Sequence, residues 1–170
     1  MRSLPLSLLL ALAPAGAGAQ PFARSIGLET GFAHDSAARL GGRVPLALTG
    51  GWWLVGELDV TVRVSWGFAL RTDGRGTDGP FEAGAGLRYS LPGWGELRPQ
   101  LSLAASYVLA SGPPGIGASD GVRLEGGVGL EAFVTRELAV ALFARASALW
   151  LDAEGWGHGF GGGLGLAYYF

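Results

Sequence analysis

The sequence predicts an all-β protein, an eight-stranded antiparallel up-and-down barrel that crosses a membrane. Three observations carry this. Apolar residues alternate with small or polar ones at period two along eight segments. The chain is apolar overall, yet it lacks the run of about 18 or more apolar residues that a membrane-spanning helix needs. The aromatic residues of the apolar set gather toward the two ends of the segments, as at the two faces of a bilayer.

Bulk properties narrow the class further. The 170 residues suffice for one domain. Charged residues are only 15% and Gly numbers 31, so the chain is too apolar for disorder. A net charge of −2 leaves no nucleic-acid footprint. The absence of Cys excludes disulfides, thiolate metal sites, a nucleophilic thiol and a lipid-modified cysteine. All 12 basic residues are Arg, whose planar fork suits ion pairs away from water. Residues 1–19 read as a signal peptide: Arg2, the short apolar run "LPLSLLLALAPA", then "AGA" before Gln20. The barrel domain is then expected over 20–170.

Each element follows from alternation, which sends neighbouring side chains to opposite faces of a strand. "RSIGLETGFA" sets Ile26, Leu28 and Phe32 against Gly27, Glu29 and Gly31. "RVPLALTGGWWL" sets Val44, Leu46, Leu48 and Trp52 against Arg43, Thr49 and Gly51. In "LDVTVRVSWGFALR", Leu58 to Leu70 supply seven apolar positions against Asp59, Thr61, Arg63 and Ser65; a helix would scatter Asp59 and Arg63 among them. "PFEAGAGLRYSL" sets Phe81, Ala83, Ala85, Leu87, Tyr89 and Leu91 against Glu82, Gly84, Gly86 and Arg88. "LRPQLSLAASYVL" sets Leu97, Leu101, Leu103, Ala105, Tyr107 and Leu109 against Arg98, Gln100, Ser102 and Ser106. "VRLEGGVGLEAFV" sets Val122, Leu124, Val128, Leu130 and Val134 against Arg123, Glu125, Gly127, Gly129 and Glu131. "LAVALFARASALW" sets Leu138, Val140, Leu142 and Trp150 against Phe143, Arg145 and Ser147. The last run sets Phe160, Leu164, Leu166, Tyr168 and Phe170 against Gly161, Gly163, Gly165, Ala167 and Tyr169. The runs are about 10 to 14 residues, and a tilted strand crosses a bilayer in about 9 to 11.

Connections alternate in length. Short turns are expected around Val55–Gly56, over "PGWGE" (92–96) and at "TRE" (135–137). Longer ones are "HDSAARLGG", "TDGRGTDG", "GPPGIGASD" and "DAEGWGH". By the usual rule the short turns are periplasmic and the longer loops face outside.

A soluble barrel would also alternate, with its charges outward. Here the non-apolar face is mostly Gly, Ala and Ser, which fits the narrow lumen of eight strands better than a soluble surface. The aromatics form two girdles. Trp52, Tyr89, Tyr168 and Phe170, with Trp94 in a turn, mark the short-turn end. Phe32, Trp66, Phe68, Phe81, Tyr107, Trp150 and Phe160 mark the other. A barrel in hydrocarbon must close, so the last strand should pair with the first and bring Gly161, Gly163 and Gly165 toward Gly27 and Gly31.

With these residues in view, the mature chain resembles the small eight-stranded outer-membrane β-barrels, such as outer membrane proteins A (barrel part) and X. The terminal "GLAYYF" is similar to that family's assembly signal through Gly165, Tyr168 and Phe170, with Gly163 standing where a polar residue is common. The resemblance implies a Gram-negative outer-membrane location, contact with the bilayer and lipopolysaccharide, recognition by the barrel-assembly machinery, and a monomer. Unlike in full-length outer membrane protein A, a periplasmic peptidoglycan-binding domain is not expected after the barrel.

Three function classes follow. The first is a structural or surface-interaction protein whose interior holds an ion-pair network of Glu29, Asp59, Arg63, Glu82, Arg88, Arg123, Glu125, Glu131 and Arg145, because a buried charge needs a partner. Counting back from the turns sets Gln100 opposite Glu131, and Arg145 one diagonal step from Glu125. The second is a narrow, porin-like channel or a carrier of small apolar molecules, although eight strands are few for an open lumen. The third is a lipid-modifying enzyme. His34 and Ser36 of "HDS" superficially resemble the His-x-Ser pair of the lipid A deacylase barrels, with Asp152 or Glu154 as orienting acid, but Ala37 stands where that family has Asn. His158 is expected across the seam from His34. No catalytic residue, metal or cofactor is assigned. The loop carboxylates Asp35, Asp73, Asp78, Asp120, Asp152 and Glu154 are expected at the outer rim, where divalent cations could bridge them to lipopolysaccharide.

Overall fold

The computed structural model describes residues 24–37, 40–69, 78–93, 96–110 and 118–170. The expected signal peptide, Trp94 and Asp73 lie outside these. Eight strands follow one another in a closed barrel, each antiparallel to its sequence neighbours. They are β1 (Arg24–Asp35), β2 (Gly42–Val55), β3 (Leu58–Ala69), β4 (Asp78–Ser90), β5 (Leu97–Ala110), β6 (Ser119–Phe133), β7 (Leu138–Leu151) and β8 (Gly155–Tyr169).

Closure is made by β1 and β8, in register from Ser25↔Tyr169 to Asp35↔Gly159. At the end of the seam Arg24 and Phe170 exchange backbone hydrogen bonds of 3.2 and 3.0 Å. Gly31 does face Gly163, while Gly161, Gly165 and Gly27 face Ala33, Glu29 and Ala167. A Cβ on Gly163 would lie 2.0 Å from the Thr30 carbonyl oxygen, so this seam closes only with glycine there.

Alternation decides which side is wet. The exposed large residues include Leu28, Leu48, Val64, Leu103, Val128, Leu142 and Leu164 on the outer surface. The mid-strand charges, among them Glu29, Arg63, Glu125 and Arg145, meet one another inside the barrel. An apolar exterior around a charged lumen is the reverse of a soluble barrel, and it is the arrangement that a hydrocarbon solvent selects.

The connections correct the sequence reading at the loop end. "DAEGWGH" is not a loop: only Asp152–Glu154 turn, and Gly155 (φ +77°) starts β8. The period-two ladder continues through Trp156 and His158, so the tight turn suffices. His34 and Asp35 likewise end β1, Gly42 starts β2, and Ser119 and Asp120 start β6. Asp78 belongs to β4. The turn at Gly56 (φ +58°) and Glu57 joins β2 to β3, where the short turn was expected.

Candidate functional site: the filled lumen

The lumen holds three tiers of charge. Nearest the loops, Asp35 (β1), Arg43 (β2), Glu82 (β4) and Arg123 (β6) converge. Arg43 pairs with Asp35 and, at 3.1 Å, with Glu82. Arg123 donates to Asp35 Oδ1 at 2.7 Å, to Glu82 Oε1 at 3.2 Å and to Ser147 Oγ at 2.8 Å. These side chains are only 1–7% exposed. Two guanidiniums and two carboxylates leave the tier neutral, as charges this deeply buried require.

Above this tier lies an apolar seal. Val108 and Ala110 of β5 and Leu149 and Leu151 of β7 pack with Ala37 and Leu40 of the first loop, and all six are buried. Here the inward face is as apolar as the outward one.

At mid-barrel, Glu29 (β1), Arg63 (β3), Glu125 (β6) and Arg145 (β7) form a second neutral tier. Arg145 reaches Glu29 at 2.8 Å and Glu125 at 3.4 Å. Arg63 reaches the same two carboxylates at 3.3 and 3.5 Å. The Arg145 guanidinium also lies 4.0 Å from the Phe143 ring centroid. These side chains are 15–24% exposed and line a cavity of about 120 Å³. Arg63 Nε and Glu29 Oε2 meet as an ion pair without hydrogen-bond geometry, and among the described residues Arg145 Nη1 here and Arg123 Nε in the first tier are buried with no hydrogen-bond partner. A void of this size and polarity accommodates several water molecules. A smaller space of about 30 Å³ separates the two tiers.

The third tier lies toward the short turns. Arg88 (β4) donates to Asp59 (β3) from Nε at 3.1 Å and Nη2 at 2.8 Å. Glu131 (β6) is buried and accepts from Tyr169 Oη at 2.5 Å and Gln100 Nε2 at 2.8 Å. Arg98 stacks 4.8 Å from the Phe133 ring centroid.

Of the nine charged residues proposed from sequence, eight make ion pairs in the lumen, and Glu131 accepts from neutral Tyr169 and Gln100 instead. Asp35 and Arg43 were missed as members. Asp35 reads as a turn residue in "HDS", and it is corrected here from a rim carboxylate to a buried tier member. The register also corrects one neighbour: Arg98, not Gln100, is opposite Glu131, and Gln100 reaches it diagonally from opposite Gly129. Arg145 faces Gly127, one step from Glu125, as counted.

The His34 ring packs 5.6 Å from Phe160, its partner across the seam. Ser36 Oγ accepts from the His158 backbone N–H at 2.9 Å, so His158 lies beyond His34 instead of opposite it. Among the described residues no group of three or more His, Asp or Glu could hold a metal ion. At the loop-end rim, Tyr107 donates to Asp120 at 2.5 Å. The girdle residues Phe32, Trp52, Trp66, Phe68, Tyr89, Tyr107, Trp150 and Phe160 are all exposed on the outer surface, as are Tyr168 and Phe170, which stack at 6.3 Å. Phe81 is half-buried against Trp66, its centroid 4.9 Å away.

No protein-family model and no curated protein sequence matches this chain. Solved structures do. Neisserial surface protein A superposes with a TM-score of 0.74 at 15% identity, covering 87% of this chain and 97% of its own. The N-terminal β-barrel domain of OprF from Pseudomonas aeruginosa superposes with a TM-score of 0.57 at 17% identity, covering 86% and 97%. The likeness is one of fold, that of small bacterial outer-membrane barrels.

Proposed function

We propose that this protein is an integral barrel of the bacterial outer membrane with a structural or surface-interaction role, and that it conducts no solute. The filled lumen is the observation that carries the reading. A solute entering from the loop end would meet the Leu149–Leu151 seal and then four paired charges that are almost fully buried. Opening that path separates buried ion pairs at about 3–5 kcal/mol for each partner lost. The mid-barrel cavity carries Arg63, Arg145, Glu29 and Glu125 in a wall otherwise built largely of small and apolar residues, and an apolar cargo there would have to desolvate those four charges. Purified protein in planar bilayers is expected to be electrically silent, and steady conductance at neutral pH would overturn the reading. A heat-dependent mobility shift in detergent, with the protein in the outer-membrane fraction, is the matching test of location.

Three further parts belong to the same proposal. Export uses residues 1–19, and insertion uses the terminal Gly165, Tyr168 and Phe170 signal; deleting Phe170 should lower the folded yield in the membrane. Asp120, Asp152 and Glu154 at the loop rim hold lipopolysaccharide through divalent cations, so chelation should reduce its co-purification. The protein modifies no lipid: lipid A from cells carrying wild type, His34→Ala or empty vector should have one mass.

A further inference from the structure

The two short turns described in full differ sharply. The β2–β3 turn follows four consecutive exposed apolar residues, Trp52, Trp53, Leu54 and Val55, at 45–54% exposure. Alternation has ended there: the β2–β3 register shifts between Trp53 and Val55, and both faces of the hairpin present apolar side chains. The Trp53 indole N–H donates to the Gly56 carbonyl oxygen at 2.8 Å. An indole at a membrane surface usually reaches for water or headgroups. This one is satisfied within its own turn, which lets the ring enter a less polar layer.

The β6–β7 turn has the opposite build. Its apolar face stops at Val134, and Thr135, Arg136 and Glu137 follow, all exposed. The Thr135 hydroxyl accepts from the backbone N–H groups of Glu137 and Leu138 at 3.3 and 3.0 Å. In a closed ring of eight strands these two turns lie half a circumference apart.

We infer that the barrel sits tilted, with the β2–β3 turn inserted into the acyl–headgroup boundary of the leaflet at the short-turn end and the β6–β7 turn in water. The inference rests on the membrane reading above. The occupant of the apolar turn is therefore lipid, because Trp52, opposite Val60, and Val55, opposite Leu58, continue the outward belt of Leu46 and Leu48, while Trp53, opposite Asp59, adds an exposed ring at the rim of the barrel.

The chain has no Cys, so single nitroxide labels can be placed at Val55→Cys, Arg136→Cys and Leu142→Cys. Each variant is folded into dioleoylphosphatidylcholine vesicles and checked by its heat shift. Collision rates with oxygen and with an aqueous nickel chelate are then compared. The oxygen-to-nickel ratio is expected to be several-fold higher at 55 than at 136, and high at 142. Equal ratios at the two turns, with 142 oxygen-rich, would overturn the tilt and leave the membrane reading standing. Nickel access at 142 would overturn both. A label-free measurement guards against a misfolded variant. The fluorescence lost in Trp53→Phe should be quenched by brominated lipid and spared by iodide, and the reverse overturns the proposal.

Discussion

The loop-end tier and the mid-barrel tier contain the same chemistry, two arginines and two carboxylates, at different depths of burial. Asp35, Arg43, Glu82 and Arg123 lie under an apolar seal at 1–7% exposure. Glu29, Arg63, Glu125 and Arg145 border a polar cavity at 15–24%. The first tier has contacts of 2.7 to 3.2 Å to Arg123, and the second stretches to 3.5 Å. Burial, more than the number of ion pairs, should decide what each residue is worth. A charge stripped of its partner has less room for compensating water in the loop-end tier, which borders the smaller space of about 30 Å³, than beside the cavity of about 120 Å³.

The largest expected effect tests the dry tier. Arg123→Met leaves Asp35 and Glu82 with Arg43 alone, so one carboxylate is uncompensated. Urea unfolding in vesicles should show a loss of about 3–5 kcal/mol. Leu149→Ala comes next, at about 2–4 kcal/mol, because it opens a cavity in a fully buried seal. It should not start conduction, since the ionic tier beneath still blocks the bore. A steady current from this variant would show that the seal, and not the charges, closes the lumen. Arg63→Met removes an equivalent charge from the wetter tier and should cost about 1–2 kcal/mol, less than Arg123→Met. Equal losses for the two arginines would remove burial as the deciding variable.

Legibility in the sequence follows the same division. Period-two alternation needs only two kinds of position, so strand number, outward face and the nine inward charges could all be read from Leu-x-Val-x patterns. The wetter tier was legible for that reason: Arg63 and Arg145 stand out among Gly, Ser and Thr. The dry tier was half hidden. Asp35 follows His34 and precedes Ser36, a string that suits a turn, and only the continuation of β1 reveals that it points inward. The seal was not legible, because Val108, Leu149 and Leu151 look like their lipid-facing neighbours once both faces are apolar. Nor could spacing fix the Gln100–Glu131 register, since β-turn geometry can slip a hairpin by two residues without moving any side chain to the other face.

The smallest effect sharpens the comparison at a single point on the mid-barrel wall. Gly126 and Gly127 are adjacent in β6 and point to opposite faces. A Cβ on Gly126 meets nothing within 4 Å, because it faces outward. A Cβ on Gly127 would lie 2.8 Å from Ser102 Oγ, 2.9 Å from Arg145 Cγ and 3.0 Å from the Ala144 carbonyl oxygen, inside the mid-barrel tier. Gly126→Ala should leave stability unchanged or raise it by about 0.4–1 kcal/mol, since alanine restricts the unfolded chain and strains nothing in the barrel. Gly127→Ala gains the same entropic term but must displace the Arg145 stem. If the cavity absorbs that displacement, the net loss stays near about 1 kcal/mol, the scale of a modest overpacking. The two urea midpoints therefore read the slack of the mid-barrel tier directly. A loss for Gly127→Ala as large as that for Arg123→Met would mean that the tier around the cavity is as rigid as the sealed one.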